Sequence, residues 1–381
     1  MASITLQGIT WGHSRGITPL FAYAQRFHEK YPEVEVNWKK RTLQEFADFP
    51  IEKLVETYDL LIIDHPWVGC ADATRCVLPL DAYLPATYLE DQLQNSVGRS
   101  HESYFFGGHQ WALAIDAATP VASYRKDLLE QNDEPVPETW KDILVMAEKG
   151  KVAAPAIPID LLMNFYLFCI AHGKEPFSGK EEVIDQETGL KALHSMKDFY
   201  SLLDKSMFSR NPIAVAEAMS GTDNYWYCPF AYGYSNYSRT GYARSVLHYG
   251  GLATFNGKKL RSTLGGTGLA ISERCQHKDW AVQFAQEVVS GEIQSTFYVE
   301  HGGQPGHRKA WESAAVNALT HDYFKNTIAT LDESYMRPRY NNYLHFQDHA
   351  GDPVQEYLRD GGDPKAVLEK INKIYKESLD K

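Results

Sequence analysis

HQWALAIDAATPVASYRKDLLEQNDEPVPETWKDILVMAEKG, residues 109–150, is the stretch that decides the predicted fold. A β-rich run, Trp111–Ile115, ends at an acid, Asp116, and a bend of small residues. The chain then passes through Pro120 into a second β-like run, and after a proline-rich turn Thr139-Trp140 starts a helix. The order of these elements predicts a strand, a hinge and a helix.

Length and charge favour a two-core protein that does not bind nucleic acid. The chain has 381 residues with 44% hydrophobic content, and single cores stop growing at roughly 250 to 300 residues. Its formal net charge of −11 and pI near 5.7 argue against nucleic acid or an anionic membrane as a partner, because neither attracts an anion. No apolar run approaches the ~20 residues that a transmembrane helix needs, so we expect a soluble protein.

The first residues and the cysteines leave the compartment open. Met1-Ala2-Ser3 runs into an alternating strand pattern without the basic and apolar regions of a signal peptide, so a signal was either removed or never present. The five cysteines are an odd number and form no CxxC motif or metal-like cluster. Cys70 and Cys76 could close a small loop in an oxidising compartment, but isolated buried thiols are the favoured interpretation.

The first hundred residues follow a βαβαβ pattern. The predicted elements are a strand from Ile4 to Trp11, a helix opened by Pro19, a strand at Val34–Trp38, a weakly patterned helix over Leu43–Glu56 and a short strand from Tyr58 to Ile63. Such runs predict a parallel sheet with helices on both faces, in which ligands bind beyond the carboxyl ends of the strands.

Two loops at these predicted strand ends carry candidate binding residues. Thr10–Gly16 follows the first strand and Asp64–Gly69 follows a later one, and both mix aromatic, imidazole and charged groups with glycines. Glycine lets the backbone approach a ligand closely, although Gly12 and Gly16 could merely turn the chain while Trp11 caps the core. Two such loops at corresponding positions favour a binding cleft.

The middle of the chain combines helical patterns with an aromatic tract. Helices are predicted at Pro158–Ala171, Gly189–Leu203 and Pro212–Met219. The tract Tyr225–Tyr237 favours stacking on a sugar or a cation, with a tyrosine-rich packing surface as the alternative. The glycine-rich run Ser262–Ile271 lacks both the GK[ST] and the GxGxxG patterns of phosphate-binding loops.

These motifs together resemble the family 1 extracellular solute-binding proteins, the maltose-binding-protein-like receptors of ABC importers. The resemblance spans nearly the whole chain. It rests on the crossing segment 109–150, the aromatic tract after Ala218-Met219, the Gly265-Gly266 return, the loop His301–His307 and the final helix behind Asp363-Pro364. The Trp-Gly-His-Ser-Arg-Gly loop and the His-Pro-Trp after Asp64 depart from the family pattern, so ligand identity does not carry over.

The resemblance implies an α/β, two-lobed periplasmic-binding-protein fold of type II. Each lobe is expected to be a mainly parallel sheet flanked by helices, with hinge crossings between residues 1–116 plus 265–312 and residues 117–264 plus 313–381. It further implies a monomer without a cofactor that captures a small-molecule solute by hinge closure and delivers it to an ABC permease in the membrane. The implied location is periplasmic or extracellular, and a cytoplasmic one stays open.

The candidate ligand-binding residues lie at the predicted strand ends, the crossings and the aromatic tract. They are Trp11, His13, Arg15, Asp64, His65, Trp67, Asp116, Trp226, Tyr232, Tyr234, Gly265, Gly266 and Gln304. Carboxylates accept hydroxyl hydrogen bonds and aromatic faces cover the C–H side of a sugar, so a carbohydrate or polyol leads. A quaternary ammonium compound in an aromatic cage comes next, and an anion held by His13 and Arg15 comes third.

Two patterns also suggest an enzyme, and both are poor matches. Gly12-His13-Ser14-Arg15-Gly16 has the letters of the Gly-x-Ser-x-Gly nucleophile elbow, but it follows the very first strand, so no upstream loop supplies an oxyanion partner. His345–His349 has histidine spacing like that of zinc hydrolases without the glutamate that acts as base. We therefore predict a receptor and not a serine hydrolase.

Overall fold

The computed structural model describes residues 4–42, 50–179 and 181–379 and divides the chain into two compact units. The first unit comprises Met1–Ala118, Gly265–Leu319 and Arg339–Asn341. The second comprises Thr119–Leu264, Thr320–Pro338 and Asn342–Lys381.

The strands lie at β1 Ile4–Trp11, β2 Val34–Arg41, β3 Leu60–Ile63, β4 Phe105–Phe106, β5 His109–Gln110, β6 Leu113–Ala118, β7 Pro120–Tyr124, β8 Tyr227–Tyr232, β9 His248–Gly250, β10 Thr254–Phe255, β11 Lys258–Lys259 and β12 Gly265–Ile271.

The α-helices lie at α1 Ser14–Lys30, α2 Ile51–Leu54, α3 Val68–Thr74, α4 Ala86–Gln94, α5 Ser100–Ser103, α6 Lys126–Gln131, α7 Trp140–Glu148, α8 Pro158–Ala171, α9 Gln186–Tyr200, α10 Pro212–Gly221, α11 Lys278–Val288, α12 Gly291–Ile293, α13 Arg308–Trp311, α14 Ala314–Leu319, α15 Tyr323–Asp332, α16 Tyr343–Asp360 and α17 Pro364–Leu379. Short 3₁₀ turns lie at His65–Trp67, Leu80–Ala82, Lys205–Ser209 and Ser235–Ser238, and a π-helical turn at Gln294–Tyr298.

The first unit is built on a mixed sheet in the order β2-β1-β3-β12-β6. β1 pairs in parallel with β2 and β3, whereas β12 pairs antiparallel with both β3 and β6. All four residues of β3 are buried, as expected for a central strand covered on both faces, while β2 alternates between buried and exposed side chains over most of its length. The strands predicted from the first hundred residues are thus confirmed.

Helix α1 begins five residues before the position predicted from its proline. Pro19 lies inside the helix, and Ser14 is its first residue. The cause is His13, whose side chain accepts the backbone N–H of Arg15 and so caps the helix earlier. The apolar side chains Leu20, Ala24 and Phe27 of α1, which lie at helical spacing, are buried.

The second unit departs from the expectation of a mainly parallel sheet. Its three-stranded sheet in the described ranges has the order β8-β7-β9 with both pairings antiparallel, and β10 and β11 form a separate antiparallel pair. Isolated parallel bridges join Val152 to Tyr227, Thr139 to Thr254 and Thr263 to Tyr335. β7 starts at the crossing and β8, after helices α6 to α10, runs back toward it, so the two strands pair antiparallel. Helix α8 has the predicted bounds and packs against α9 and α16.

Of two further predicted helices, one is described only in part and the other begins where expected. The helix predicted over Leu43–Glu56 falls partly outside the described residues, and the described part is helical at Ile51–Leu54. Helix α7 starts where expected, with a capping box between Thr139 and Asp142. Among the residues that the structure describes, no helix is both long and apolar enough to cross a membrane.

Candidate functional site

The carboxyl ends of the parallel strands in the first unit meet at one edge of its sheet. β1 ends at Trp11, β3 ends just before Asp64, and β6 carries Asp116 near its end. β12 runs the other way, so its first residues, Gly265 and Gly266, pair with Ala118 and Ala117 at this same edge. We call this place the carboxyl edge. It is where open α/β sheets bind ligands.

The turn from β1 to α1 presents an imidazole at the carboxyl edge. The ring of His13 stacks on Trp11, with 5.7 Å between ring centroids and 12° between planes. Burial, aided by the nearby Arg15 charge, lowers the pKa of His13 to about 4, so the ring is neutral at neutral pH. Trp11 itself is buried, and a Cβ on Gly16 would lie 2.4 Å from its indole. The indole therefore packs as a platform beneath His13.

Arg15 and Asp116 form a buried ion pair across the carboxyl edge. The Arg15 Nε donates to Asp116 Oδ2 at 2.8 Å, and its Nη2 donates to Oδ1 in a second, shorter bond. Both residues are at most 3% exposed. Burial raises the pKa of Asp116 above its usual range, and the guanidinium opposes that rise. In this bidentate geometry each charge is neutralised by the other, and the pair fixes the positions of Arg15 and Asp116 at the carboxyl edge.

Asp64 is the more exposed acid of the edge. Its side chain is 14% exposed, and its Oδ1 accepts the backbone N–H of His65 at 2.8 Å, which starts the 3₁₀ turn. His65 and Trp67 are buried beneath it, at 1% and 6% exposure. Within the described ranges the indole N–H of Trp67 is buried without a hydrogen-bond partner. The turn thus keeps the Asp64 carboxylate more exposed than the buried rings of His65 and Trp67 that follow it.

The glycines and Gln304 line β6 from its two sides. Gly266 has φ +101°, and a Cβ there would lie 2.3 Å from the carbonyl oxygen of Asp116, so the strands approach more closely than any side chain permits. On the other side the fully buried Gln304 donates its Nε2 to the carbonyl of Ala117 at 2.8 Å. These residues fix the position of Asp116.

In the second unit, Tyr232 lies at the sheet end next to the crossing segments. It is half-buried, and its hydroxyl is 3.0 Å from Thr263 Oγ1. Thr119 Oγ1 donates to the Thr263 carbonyl and pairs with Ser262 Oγ at 2.7 Å. Tyr234 is buried nearby and packs edge-on against Tyr237. The polar side chains therefore tie together the two segments, 119–120 and 262–264, that enter and leave the unit.

Trp226 is not brought together with these tyrosines. β7 and β8 pair antiparallel, with Pro120 opposite Tyr232 and Tyr124 opposite Tyr227, so Trp226 lies beyond the far end of the sheet. Six residues of extended chain place it roughly 20 Å from Tyr232. There its indole donates to the Asp223 carbonyl, and Lys151 Nζ lies 4.7 Å from its ring centroid.

Comparisons with known proteins identify the family. The sequence model of the bacterial extracellular solute-binding proteins matches residues 17–295, well over half of the chain. The chain belongs to this family. The resemblance seen in the sequence is thus confirmed.

Solved structures of solute-binding proteins share the whole fold. A maltose-bound protein of T. maritima has a TM-score of 0.86 at 17% identity, covering 98% of this chain and 100% of its own. A protein of Agrobacterium radiobacter in complex with ribitol has 0.82 at 19% identity, covering 98% of both chains. UgpB of Mycobacterium tuberculosis in complex with glycerophosphocholine has 0.80 at 17% identity, covering 99% and 98%. At these identities the likeness establishes the two-lobed α/β fold.

Membership of the solute-binding family also bears on the enzyme alternative. The family and its structural neighbours are binding proteins, which supports a receptor over a serine hydrolase. In the structure Ser14 is the first residue of α1, and the neighbouring His13 uses Nδ1 to cap that helix. Among the described residues, no group of three His, Cys, Asp or Glu side chains is arranged to hold a metal ion.

Sequence reasoning missed two sets of residues in this solute-binding protein. The crossing side chains Thr119, Ser262 and Thr263 were passed over because a lone hydroxyl carries little signal, although each flanks a predicted hinge. Asp160 was also missed. It is 6% exposed in the first turn of α8, and burial raises its pKa to about 8. An acid three residues into an otherwise apolar helix was the available clue.

Proposed function

We propose that this protein is the receptor of an ABC importer and captures a small neutral polyhydroxylated solute, a carbohydrate or a polyol. The observation that carries the proposal is the carboxyl edge, where a forward-held carboxylate and a neutral imidazole stand beside glycine backbone. A carboxylate accepts hydroxyl hydrogen bonds, and the neutral His13 ring, whose Nδ1 accepts the Arg15 N–H, carries its proton on Nε2 as a donor. Maltose and ribitol in the related structures are consistent with this class.

The charges at the carboxyl edge favour a neutral solute over an anion. An anion would need Arg15 or a protonated His13, but Arg15 is paired with the buried Asp116 and His13 is neutral near pH 7. A quaternary ammonium solute would need open aromatic faces beside an acid. Trp11 is 3% exposed and covered by His13 and Gly16, which removes one wall of the expected cage.

The proposed roles divide the predicted site residues into two groups. Direct contacts are assigned to His13, Asp64, the backbone of Gly265 and Gly266, and Tyr232 of the second unit. A second group positions them: Trp11, Arg15, His65, Trp67, Asp116, Tyr234 and Gln304, each at most 6% exposed. Trp226 is left out, because the sheet places it at the opposite end from Tyr232.

In the proposed cycle the solute binds between the two units, and the crossing segments act as the hinge. Contacts that exist only in the closed state shift the population toward that state. The partner is an ABC permease, and the proposed setting is the periplasm or the cell exterior, with the receptor acting as a monomer. The family to which the chain belongs supports both the partner and the setting.

A thermal-shift screen followed by calorimetry tests the proposal. The screen compares maltose, ribitol, glycine betaine and small organic acids. A true ligand at 100 times its Kd adds about 2.7 kcal/mol of stability. We expect stabilisation by a sugar or polyol. Stabilisation by the betaine or the acids alone would contradict the neutral-solute assignment.

Asp64→Asn is the variant that tests the site. Losing charge-assisted hydrogen bonds of about 1.5 to 3 kcal/mol should weaken binding roughly 10- to 150-fold in calorimetry. Asp352→Asn is the matched control, because Asp352 is an exposed acid on α16 and should leave Kd unchanged. Equal affinities in the two variants would remove Asp64 from the site.

A further inference from the structure

Two imidazoles lie one turn apart on helix α16 of the second unit. His345 and His349 are four residues apart, a spacing that makes side chains neighbours on one face of a helix. Their ring centroids are 4.4 Å apart, with 43° between the ring planes. His349 is exposed and His345 is half-buried, so this imidazole pair borders the solvent. The proposed solute binding makes no use of it.

A hydrogen bond sets which nitrogen of His349 carries the proton. Its Nδ1 lies 2.8 Å from the carbonyl oxygen of His345, and a carbonyl only accepts, so the proton is on Nδ1. In the neutral ring the lone pair is then on Nε2. Histidines that bind metals in proteins usually donate their other ring N–H in this way, often to a backbone carbonyl. The structure therefore holds His349 in the tautomer that a metal ligand needs.

The spacing of the imidazole pair fits two ligands of one metal ion. An ion bonded at ~2.0–2.1 Å to a ring nitrogen lies about 3.2 Å from the centroid of that ring. Two such rings at a right angle about the ion have centroids about 4.5 Å apart, and at the tetrahedral angle about 5.2 Å. The 4.4 Å between the two rings fits the right angle, which is typical of ligands in the square-planar and tetragonal sites of Cu²⁺ and Ni²⁺.

Packing holds the helix that carries the imidazole pair. Helix α16 packs against α8 and α17, and a Cβ on Gly351 would collide with the carbonyl oxygen of Pro158, so α16 and α8 are in close contact. Phe346, next to the first histidine, is fully buried and packs edge-on against Tyr375 of α17. Because the helix is fixed on its buried side, the two imidazoles need little further ordering to bind an ion.

We propose that His345 and His349 form a binding site for a divalent transition-metal ion of the Cu²⁺ or Ni²⁺ type. One nitrogen of each ring binds the ion, Nε2 in the case of His349, and water takes the other positions. Among the residues that the structure describes, no His, Cys, Asp or Glu extends the pair to a group of three. The pair is in the second unit and the carboxyl edge is in the first, so the proposal does not rest on the proposed solute binding.

Calorimetric titration of the full-length protein, free of any affinity tag, with NiCl₂ tests the proposal. We expect one Ni²⁺ per protein. His345→Gln and His349→Gln should each weaken binding roughly 100-fold, because each leaves one ligand where two were linked. His194→Gln is the matched control and should leave the Kd for Ni²⁺ unchanged. His194 is an exposed histidine on helix α9 with Leu190 and Asp198 four residues away on either side, so it has no imidazole neighbour at that spacing.

The variants also separate this proposal from the proposed function. Asp64→Asn should keep the wild-type affinity for Ni²⁺, whatever it does to the affinity for a solute. His349 is exposed, so His349→Gln should fold normally by circular dichroism and decides the result even if His345→Gln does not fold. Absence of saturable Ni²⁺ binding, or equal affinity in His349→Gln and the wild type, would overturn the proposal.

Chemical labelling locates the ion independently. Diethyl pyrocarbonate acylates the lone-pair nitrogen of a neutral imidazole, and mass spectrometry of the digested protein reports each labelled histidine. Ni²⁺ should protect His349 from the reagent and leave the labelling of His194 unchanged. Protection of other histidines in place of His349 would move the ion elsewhere and contradict the site.

Discussion

At the scale of single residues, the ion pair of Arg15 and Asp116 shows that an acid predicted to bind ligand is used within the protein. Both side chains are at most 4% exposed, so each charge is stabilised by the other and not by water. The sequence placed Asp116 near a strand end and Arg15 shortly after the first strand, where the structure has them. It could not show that they meet, because 101 positions separate them.

Asp116→Asn is therefore expected to destabilise the fold. It leaves the Arg15 guanidinium buried without a carboxylate, which costs about 3 to 5 kcal/mol. Glu29→Gln is the control, because Glu29 pairs with Arg26 on the exposed face of α1, the helix that carries Arg15. This substitution should not change the unfolding free energy measurably. Urea titration compares the two. Similar midpoints would show that the buried pair adds nothing to stability.

At the scale of elements, helix α8 carries a competition between burial and the helix dipole. Asp160 lies in its first turn, where the dipole favours a negative charge by about 0.3 to 1 kcal/mol. Burial opposes the charge with several kcal/mol and prevails, which raises the pKa of Asp160 to about 8. The acid is therefore neutral in the folded protein at pH 7.

This competition predicts a pH dependence of stability. Below about pH 4 both the folded and the unfolded chain hold the proton; between about 4 and 8 only the folded chain does. The free energy of unfolding should therefore fall as pH rises, by up to about 1.4 kcal/mol per unit. Asp160→Asn, neutral throughout, should flatten this slope in urea titrations from pH 4.5 to 8, and the exposed Asp352→Asn should keep it. An unchanged slope in Asp160→Asn would assign the dependence to other groups.

At the scale of the whole molecule, local patterns predicted the elements well and long-range pairing poorly. The bounds of α8 and β1 follow from apolar spacing and flanking residues, which the sequence displays directly. The start of α1 was wrong, because the imidazole cap of His13 took precedence over the signal of Pro19. Two residues on different strands lie at the same end of a sheet only if the strands pair in the right direction. A single sequence does not show that direction.

Trp226 illustrates the consequence, and the last prediction depends on it. From the sequence, the aromatic tract was expected to supply Trp226, Tyr232 and Tyr234 to one site. Antiparallel pairing of β7 with β8 places Trp226 at the far end, with Lys151 over its ring, and leaves Tyr232 beside the crossing at Thr263.

With the ligand from the screen, Trp226→Ala should keep Kd within about twofold. Tyr232→Phe should lose one hydroxyl hydrogen bond of about 0.5 to 1.5 kcal/mol, or roughly 2- to 13-fold in affinity. Tyr225→Phe, the same change at the far end, is the matched control and should leave Kd unchanged. If calorimetry instead finds that Trp226→Ala weakens binding more than Tyr232→Phe, the solute binds at the far end of this sheet and the assignment of the second unit's contacts must be reversed.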